Sequence, residues 1–285
     1  MNVVVVGDAL VDEMRDASGS VDAPGGSALN VAVGLAVLGV PSTLVAMFGE
    51  DADGRLLARH LAEYGVASIA SPAPLGTGRA VSDRTDGEPR YSFTAAQVQR
   101  KIDFALVAEV LASADVVAVS GFPFDDAGQV EQLQAAVVGK RLLIDPNPRP
   151  GLLVDRAAFV RGLEELCSGV TLVKVGDDDA QLLWGEPLPV VARRLLDAGA
   201  AAVLATAGER GASVYTRDGV THQPIVTGSA PIIDTMGAGD ATFAAVIAQS
   251  LTDHDWSETL GAAMAIAAET IRYPGGMLRL PATTT

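Results

Sequence analysis

Short runs of β-branched and other apolar residues alternate with longer helix-periodic segments through almost the whole chain. That order suits a mostly parallel sheet covered by helices on both faces, because each parallel strand needs a crossover to bring the chain back. The strand-like runs are Val3 to Val6, Thr43 to Phe48, Val116 to Val119, Leu142 to Ile144, Val170 to Val175, Ala202 to Thr206 and Ser213 to Tyr215. Between them the spacing predicts helices over roughly Ser27 to Leu38, Gly54 to Tyr64, Gln129 to Val138, Arg156 to Cys167, Val190 to Ala198, Gly239 to Ser250 and Trp256 to Ile271. One segment breaks the pattern. Arg79 to Thr85 and Glu88 to Phe93 flank Asp86-Gly87, a two-residue hairpin signal. With the stretch Val11 to Ala23, expected to be irregular, this hairpin is expected to form a small lid outside the main sheet. The fold class expected is α/β, three-layered and mostly parallel. It is one domain over residues 1–285, with lid segments at about 11–23 and 77–98 inserted. A hydrophobic content of 49% over 285 residues can fill the core that this requires.

The net charge of −15 argues against nucleic acid or an anionic membrane surface as the main partner, since both need a basic footprint. A nucleotide remains admissible if a cation, a helix N-terminus or a few placed basic residues supply local positive potential. Only three lysines are available, Lys101, Lys140 and Lys174. The single cysteine, Cys167, excludes an intrachain disulfide and reads as a buried structural residue in a helical pattern. His60, His222 and His254 lack metal-ligand spacing and read as ordinary surface or loop histidines. The N-terminal apolar run is short and lacks a basic flank, and no polar-free stretch reaches membrane-spanning length. A soluble cytoplasmic protein is expected.

In parallel sheets the ligand crevice lies at the carboxyl ends of the strands, and the residues there are polar or glycine-rich. Gly7-Asp8 and then Asp12 follow the first strand, Asp145-Pro146-Asn147-Pro148-Arg149 the fourth, and Ala207-Gly208 the sixth. Two glycine motifs carry the chemistry. Asp234-Thr235-Met236-Gly237-Ala238-Gly239-Asp240 opens a small, apolar helix. Backbone N–H groups there lack intrahelical partners and can face an anion, while Asp240 sets a carboxylate beside them. Pro24-Gly25-Gly26-Ser27-Ala28-Leu29-Asn30 opens a second such helix, ended by Gly39 and Pro41. Its glycines admit a ligand to the backbone, and Asn30 can hydrogen-bond hydroxyls. Taken singly, each motif reads equally well as a tight turn ahead of a helix, and Asp145 and Asn147 as residues shaping a turn.

Together, the two glycine motifs resemble the signatures of the ribokinase-like, or PfkB, family of carbohydrate kinases. Further matches are Gly7-Asp8-Ala9-Leu10-Val11-Asp12, Phe48-Gly49-Glu50-Asp51, Asp145 to Arg149, and Thr206-Ala207-Gly208-Glu209-Arg210-Gly211. The first of these and the Asp-Pro-Asn-x-Arg run are most similar to fructokinases and 2-keto-3-deoxygluconate kinases. The resemblance implies ATP-dependent phosphorylation of a primary sugar hydroxyl, with Asp240 as base and Gly237, Ala238 and Gly239 as the anion hole. It implies sugar contacts at Asp12, Gly25, Gly26 and Asn30, with Arg149 meeting phosphate or a substrate carboxylate. Lys174, Thr206, Gly208 and Gly211 fall to the nucleotide, with Ile225, Val226 and Ala267 as weaker candidates near adenine. No Gly-x-x-x-x-Gly-Lys-Ser/Thr P-loop is present, so phosphate binding of the Walker type is excluded.

Two positions depart from the family pattern. Gly176-Asp177-Asp178-Asp179 stands where many members carry Asn-x-x-Glu near Mg²⁺, leaving Asp179 to act on that ion through water. Met264 stands where Asn is frequent. Asp234 and Thr235 resemble a monovalent-cation site, so K⁺ is a candidate activator beside Mg²⁺. A fructose-like ketose is the favoured acceptor. The alternatives are a nucleoside kinase of the same fold, with Tyr91 and Phe93 to stack on a base, and a sugar or nucleotide sensor without turnover. A homodimer through the lid is expected.

Overall fold

A computed structural model describes residues 1–16, 19–83, 90–226, 231–252 and 255–281. The chain opens with β1 (Val3–Gly7), β2 (Leu10–Asp16) and β3 (Gly19–Gly25), then α1 (Ser27–Val37), β4 (Ser42–Met47), α2 (Ala52–Glu63) and β5 (Ala67–Ser71). Next come β6 (Arg79–Asp83), β7 (Arg90–Phe93), α3 (Ala95–Val98), α4 (Ala108–Ser113), β8 (Val116–Ser120), α5 (Ala127–Ala136) and β9 (Arg141–Asp145). They are followed by α6 (Arg156–Cys167), β10 (Leu172–Gly176), α7 (Asp177–Leu183), α8 (Leu188–Asp197) and β11 (Ala202–Thr206). β12 (Ala212–Thr216), β13 (Val220–Gln223), α9 (Ala238–Ser250) and α10 (Trp256–Thr270) complete the described elements.

The main sheet runs β13-β12-β11-β10-β9-β8-β1-β4-β5. From β11 to β5 the pairings are parallel, and β12 and β13 close one edge antiparallel. Strands buried on both faces read as unbroken apolar runs, as fully buried Val3 to Val6 of central β1 do. One face packs on α1, α2, α9 and α10 through Leu29, Leu35, Leu57, Phe243, Ile247 and Leu260. The other carries Leu133, Leu163 and Val191 and a file of edge-to-face rings, Phe104, Phe122, Phe124 and Phe159. Cys167 belongs to this second cluster. Burial pushes its thiol up to about 12, so it is inert there.

A separate four-stranded sheet, ordered β3-β2-β6-β7, corrects part of the expectation. Val11 to Ala23 is not irregular. Most of it lies in β2 and β3, paired antiparallel, and β2 also pairs parallel with β6. Asp12, Glu13, Arg15 and Asp16 put charge on both faces of β2, and β3 has few apolar residues, which hides the alternation that marks a strand. The hairpin partners β6 and β7 are antiparallel as expected, while Asp86-Gly87 lies outside the described residues. β5, β13 and the short helices α3, α4 and α7 also arise without having been foreseen. His60 is half-buried within α2, its ring 5.2 Å from that of Tyr64, rather than on the surface or in a loop. His222 sits on edge strand β13, and His254 is outside the described residues. No helix among the described residues is long and apolar enough to cross a membrane.

β1 is the strand where the sheet order reverses, with β4 on one side and β8 on the other. Its last residue, Gly7, has φ +155°, and a Cβ there would run into the Ser120 carbonyl of β8. Gly7→Ala should therefore lower unfolding free energy by about 2–4 kcal/mol in urea titration, since the strand cannot give way without opening the crevice. An unchanged midpoint would show that β1 and β8 separate freely at that end.

Candidate active site

The carboxyl ends of β1, β8, β9, β10 and β11 converge on one crevice, beside the strand where the sheet order reverses. Across it the first turns of α1 and α9 face each other. Asp240, in the first turn of α9, accepts from Ser27 Oγ at 2.7 Å and from Asn30 Nδ2 at 2.9 Å. Ser27 and Asn30 are three residues apart and share one face of α1, so both carboxylate oxygens are held at once. Ser27 Oγ is also hydrogen-bonded to Ser120 Oγ at the end of β8. Asn30 thus donates to Asp240, which leaves Oδ1 as its remaining polar atom.

Gly237 makes the turn into α9 in the left-handed region, φ 75°, and a side chain there would strike the backbone of Gly276. The Ala238 N–H turns back to the Thr235 carbonyl at 3.4 Å, and the Ala241 N–H closes on Gly237 at 2.8 Å. The N–H groups of Gly239 and Asp240 have no backbone acceptor among the described residues. Two such donors beside a fixed carboxylate can stabilise an anion next to a base.

Three carboxylates crowd the β1 side. Asp8 accepts the Ala28 N–H at 3.2 Å, and Gly25 lies against the Asp12 carboxylate. Burial, reinforced by the Asp240 charge, pushes Asp8 up to about 6 against the pull of Arg100, the Ala28 N–H and Arg149. Burial also pushes Asp12 up to about 7, helped by the charges of Asp8 and Asp240 and opposed by Arg149. Gly26 caps α1. Arg149 is exposed after β9, close enough to act electrostatically on both acids, and follows Asn147, which takes a positive φ of 41°.

On the β9 and β10 side, buried Lys174 Nζ donates to Asp145 Oδ2 at 2.8 Å. A Cβ on Gly239 would lie 3.3 Å from that ammonium, so Lys174 sits directly under the glycine turn. Burial lowers the tendency of Lys174 to be charged, but Asp145, Asp179 and Asp240 together outweigh it and raise its pKa. Asp145 is pushed up to about 6, by burial first. Its Oδ1 is buried without a hydrogen-bond partner among the described residues. Asp179 turns back to accept the Gly176 N–H at 2.7 Å, leaving one oxygen uncommitted by that bond. Thr206, at the end of β11, pairs with Gly176 in the ladder. Gly208 begins the next turn and Gly211 closes it, N–H to the Gly208 carbonyl at 3.0 Å, with Arg210 bound to Asp177 at 2.8 Å.

Asp234 holds the loop before α9 by accepting from the N–H groups of Met236, at 2.9 Å, and Gly275, at 3.1 Å. Thr235 is exposed. Ile225 and Val226 follow β13 about two-fifths exposed, and Ala267 is half-buried on α10. Met264, on α10, is buried in the core. Phe93 is half-buried, its ring set against Gly151. No three acidic, His or Cys side chains group as a metal site among the described residues. The expected residues Asp12, Gly25, Gly26, Asn30 and Asp240 are brought together. Asp8, expected only at the strand end beside the crevice, joins them, as do Ser27 and Ser120, which had not been foreseen as site residues.

The raised carboxylates make a pH prediction. Asp12 goes from an ordinary 3.8 to about 7 on folding, so the folded state binds the extra proton. That contribution to stability is fully present below about pH 4 and is lost as pH rises through about 7. Asp12→Asn cannot ionise. In calorimetric melts of the ligand-free protein it should melt above wild type at about pH 8, with the gap closing towards about pH 4. A gap independent of pH would show that Asp12 is not desolvated.

The profile of the pfkB family carbohydrate kinases matches residues 2–283. A fructokinase from Rhizobium leguminosarum bv. trifolii is 27% identical over 265 residues, covering 88% of this chain and 80% of the relative. The 2-dehydro-3-deoxygluconokinase of Bacillus subtilis (strain 168) is 28% identical over 273 residues, covering 90% and 83%. Among solved structures, a ribokinase II from E. coli in complex with ATP and Mg²⁺ superposes with a TM-score of 0.80 at 23% identity, covering 97% of this chain and 94% of that one. A fructokinase with bound ATP from Xylella fastidiosa gives 0.79 at 24%, covering 96% and 93%. With a family match over nearly its whole length and the ribokinase-like fold around one crevice, the chain belongs to the pfkB family of carbohydrate kinases.

Proposed function

We propose that the protein transfers the γ-phosphoryl group of ATP to a primary hydroxyl of a small neutral sugar, with a fructose-like ketose as the favoured acceptor. The observation that carries this reading is the Asp240 carboxylate, fixed by Ser27 and Asn30 beside the Gly237–Gly239 turn. Asp240 takes the proton of the attacking hydroxyl. The sugar oxygen then bonds to the γ-phosphorus as the bond to the bridging oxygen breaks, and ADP leaves. The Gly239 and Asp240 N–H groups, with the Lys174 ammonium beneath them, meet the charge spread over the transferring group. Asp12, Gly25, Gly26 and Asn30 would hold the acceptor. Thr206, Gly208 and Gly211 would hold the donor, with Ile225 and Val226 against its base.

The acceptor side carries Asp8, Asp12 and Asp240 against exposed Arg149 and buried Arg100. That balance favours a polyhydroxylated neutral sugar over a sugar acid, and the curated relatives named fructokinase favour the same choice. The residues present fit Mg²⁺ held through water: Asp179 keeps one oxygen beyond its bond to Gly176, and Asp145 Oδ1 is an orphaned buried acceptor nearby. When bound, Mg²⁺ neutralises donor phosphate charge. Asp234 and Thr235 would be the residues toward a monovalent cation.

A coupled ADP-release assay with Mg²⁺, with and without K⁺, tests the reading across fructose, ribose, 2-keto-3-deoxygluconate, tagatose and adenosine. Fructose or tagatose should turn over best. Asp240→Asn should cut kcat by about 10³-fold or more while the circular dichroism and melting profile stay those of the wild type. Turnover retained in that variant would remove Asp240 as the base, and adenosine as the best acceptor would overturn the sugar assignment.

A further inference from the structure

Arg79 begins β6, away from the crevice, and phosphoryl transfer as described gives it no part. Its guanidinium is nevertheless saturated. Nε and Nη2 donate to the two oxygens of Asp53, each at 2.6 Å. Nη2 and Nη1 donate to the two oxygens of Asp22 at 3.0 and 3.2 Å, and Nη1 also donates to Glu13 Oε2 at 3.1 Å. Those are all five donors that a guanidinium possesses. Asp53 lies in the first turn of α2, Glu13 on β2 and Asp22 on β3, so one side chain ties three elements together.

The other end of this arrangement is the acceptor wall. In the ladder Arg79 pairs with Val11, and Asp12 pairs with Ala80 and Ala23, while the Val11 N–H donates to Gly78 at 3.0 Å. Successive strand residues alternate faces, so Glu13 and Arg79 share the face toward α2 and Asp12 lies on the opposite one. A second fastening sits two residues before Arg79, where Asp51, the cap of α2, accepts from both the N–H and the hydroxyl of Thr77 at 2.8 and 2.7 Å. Apolar burial does little to hold the outer part of this sheet, for Met14 and Val21 are exposed and so are Gly19, Ser20 and Asp22. Its placement depends on polar fastenings instead.

We propose that Arg79 is a positioning residue: by fastening β2 and β3 to the first turn of α2, it holds the Asp12 carboxylate at the acceptor site. This rests on the reading of Asp12 as an acceptor-binding residue. Asp12 needs such a restraint because Asp8 and Asp240 repel it, while buried Leu10 and Val11 anchor only the start of β2. An ordinary surface ion pair would not suffice, but this guanidinium is three-quarters buried and bound bidentately by two carboxylates. A lysine, a single point charge, could not span the three acids.

The test uses the full chain with Arg79→Met and Arg79→Lys, each alone and in an Asp12→Asn background. Arg79→Met should raise the KM for fructose about tenfold or more while the KM for ATP holds, and Arg79→Lys should recover only part of the loss. In the Asp12→Asn background Arg79→Met should add nothing further, since it acts through that carboxylate. Amide exchange over residues 10–16 should quicken in Arg79→Met, with the strands of the main sheet unchanged. Additive kinetic effects, or unaltered exchange over residues 10–16, overturn the proposal. If Asp12→Asn alone leaves fructose kinetics untouched, the acceptor reading fails instead, and the exchange data still decide whether Arg79 holds β2. If Arg79→Met does not fold, Asp53→Asn, which weakens the same fork, is put through the same measurements.

Discussion

The Asp240 carboxylate is gripped by a hydroxyl and an amide that lie 213 and 210 residues away in the chain, and the rest of the crevice is arranged around that contact. It requires the first turns of α1 and α9 to meet, which in turn requires the two helices to pack closely on the same face of the sheet. Small residues make this approach feasible. A Cβ at Gly34 of α1 would come within 3.0 Å of the Ala244 Cβ on α9, and Ala28, Ala32, Ala241 and Ala245 are buried in the same layer. α1 and α9 thus approach closely on this face through glycine and alanine. The other face carries the file of edge-to-face phenylalanines, Phe104, Phe122, Phe124 and Phe159.

Close approach has an electrostatic cost. Asp8, Asp12 and Asp145 each sit where burial disfavours the ionised form, and each also feels Asp240. Lys174 is the buried ammonium on the β9 and β10 side, set between Asp145 and the glycine turn at Gly239. The ligand-free crevice is thus a destabilised region in a protein held together elsewhere by apolar layers. On the proposed reading, a cation or hydroxyl donors bound there would relieve that repulsion as well as add contacts, which is how a strongly acidic chain would receive an anionic donor.

What could be read from the sequence was local. The two glycine turns, the helices they open and the strand ends that carry Asp8, Asp145 and Thr206 follow from residue type and short spacing, because a turn's chemistry lies within a few positions. Ser27 stood inside a recognised motif yet showed its part only when Asp240 was folded against it. Ser120 gave no signal, being an ordinary serine at a strand end. β2 was obscured because charged residues occupy both of its faces, Glu13 turned to Arg79 and Asp12 toward the crevice, and β3 because it is short of apolar residues. A strand that serves two polar surfaces loses the alternation by which strands are recognised.

Gly176 shows how one position redistributes work across the site. Where a side chain at the cap of α7 could have bonded the first turn of that helix, Gly176 offers none, and Asp179 turns back to satisfy the Gly176 N–H. One of its oxygens is thereby fixed in a structural bond. On the proposed reading, charge near the phosphates must then come more heavily from Lys174, the nearest cation to the glycine turn, and from Mg²⁺ bound through water. The Asp145–Lys174 pair is then more than a buried ion pair tolerated by the fold. Asp145 favours the charged form of Lys174 where burial works against it, and on that reading preserves positive potential beneath the glycine turn.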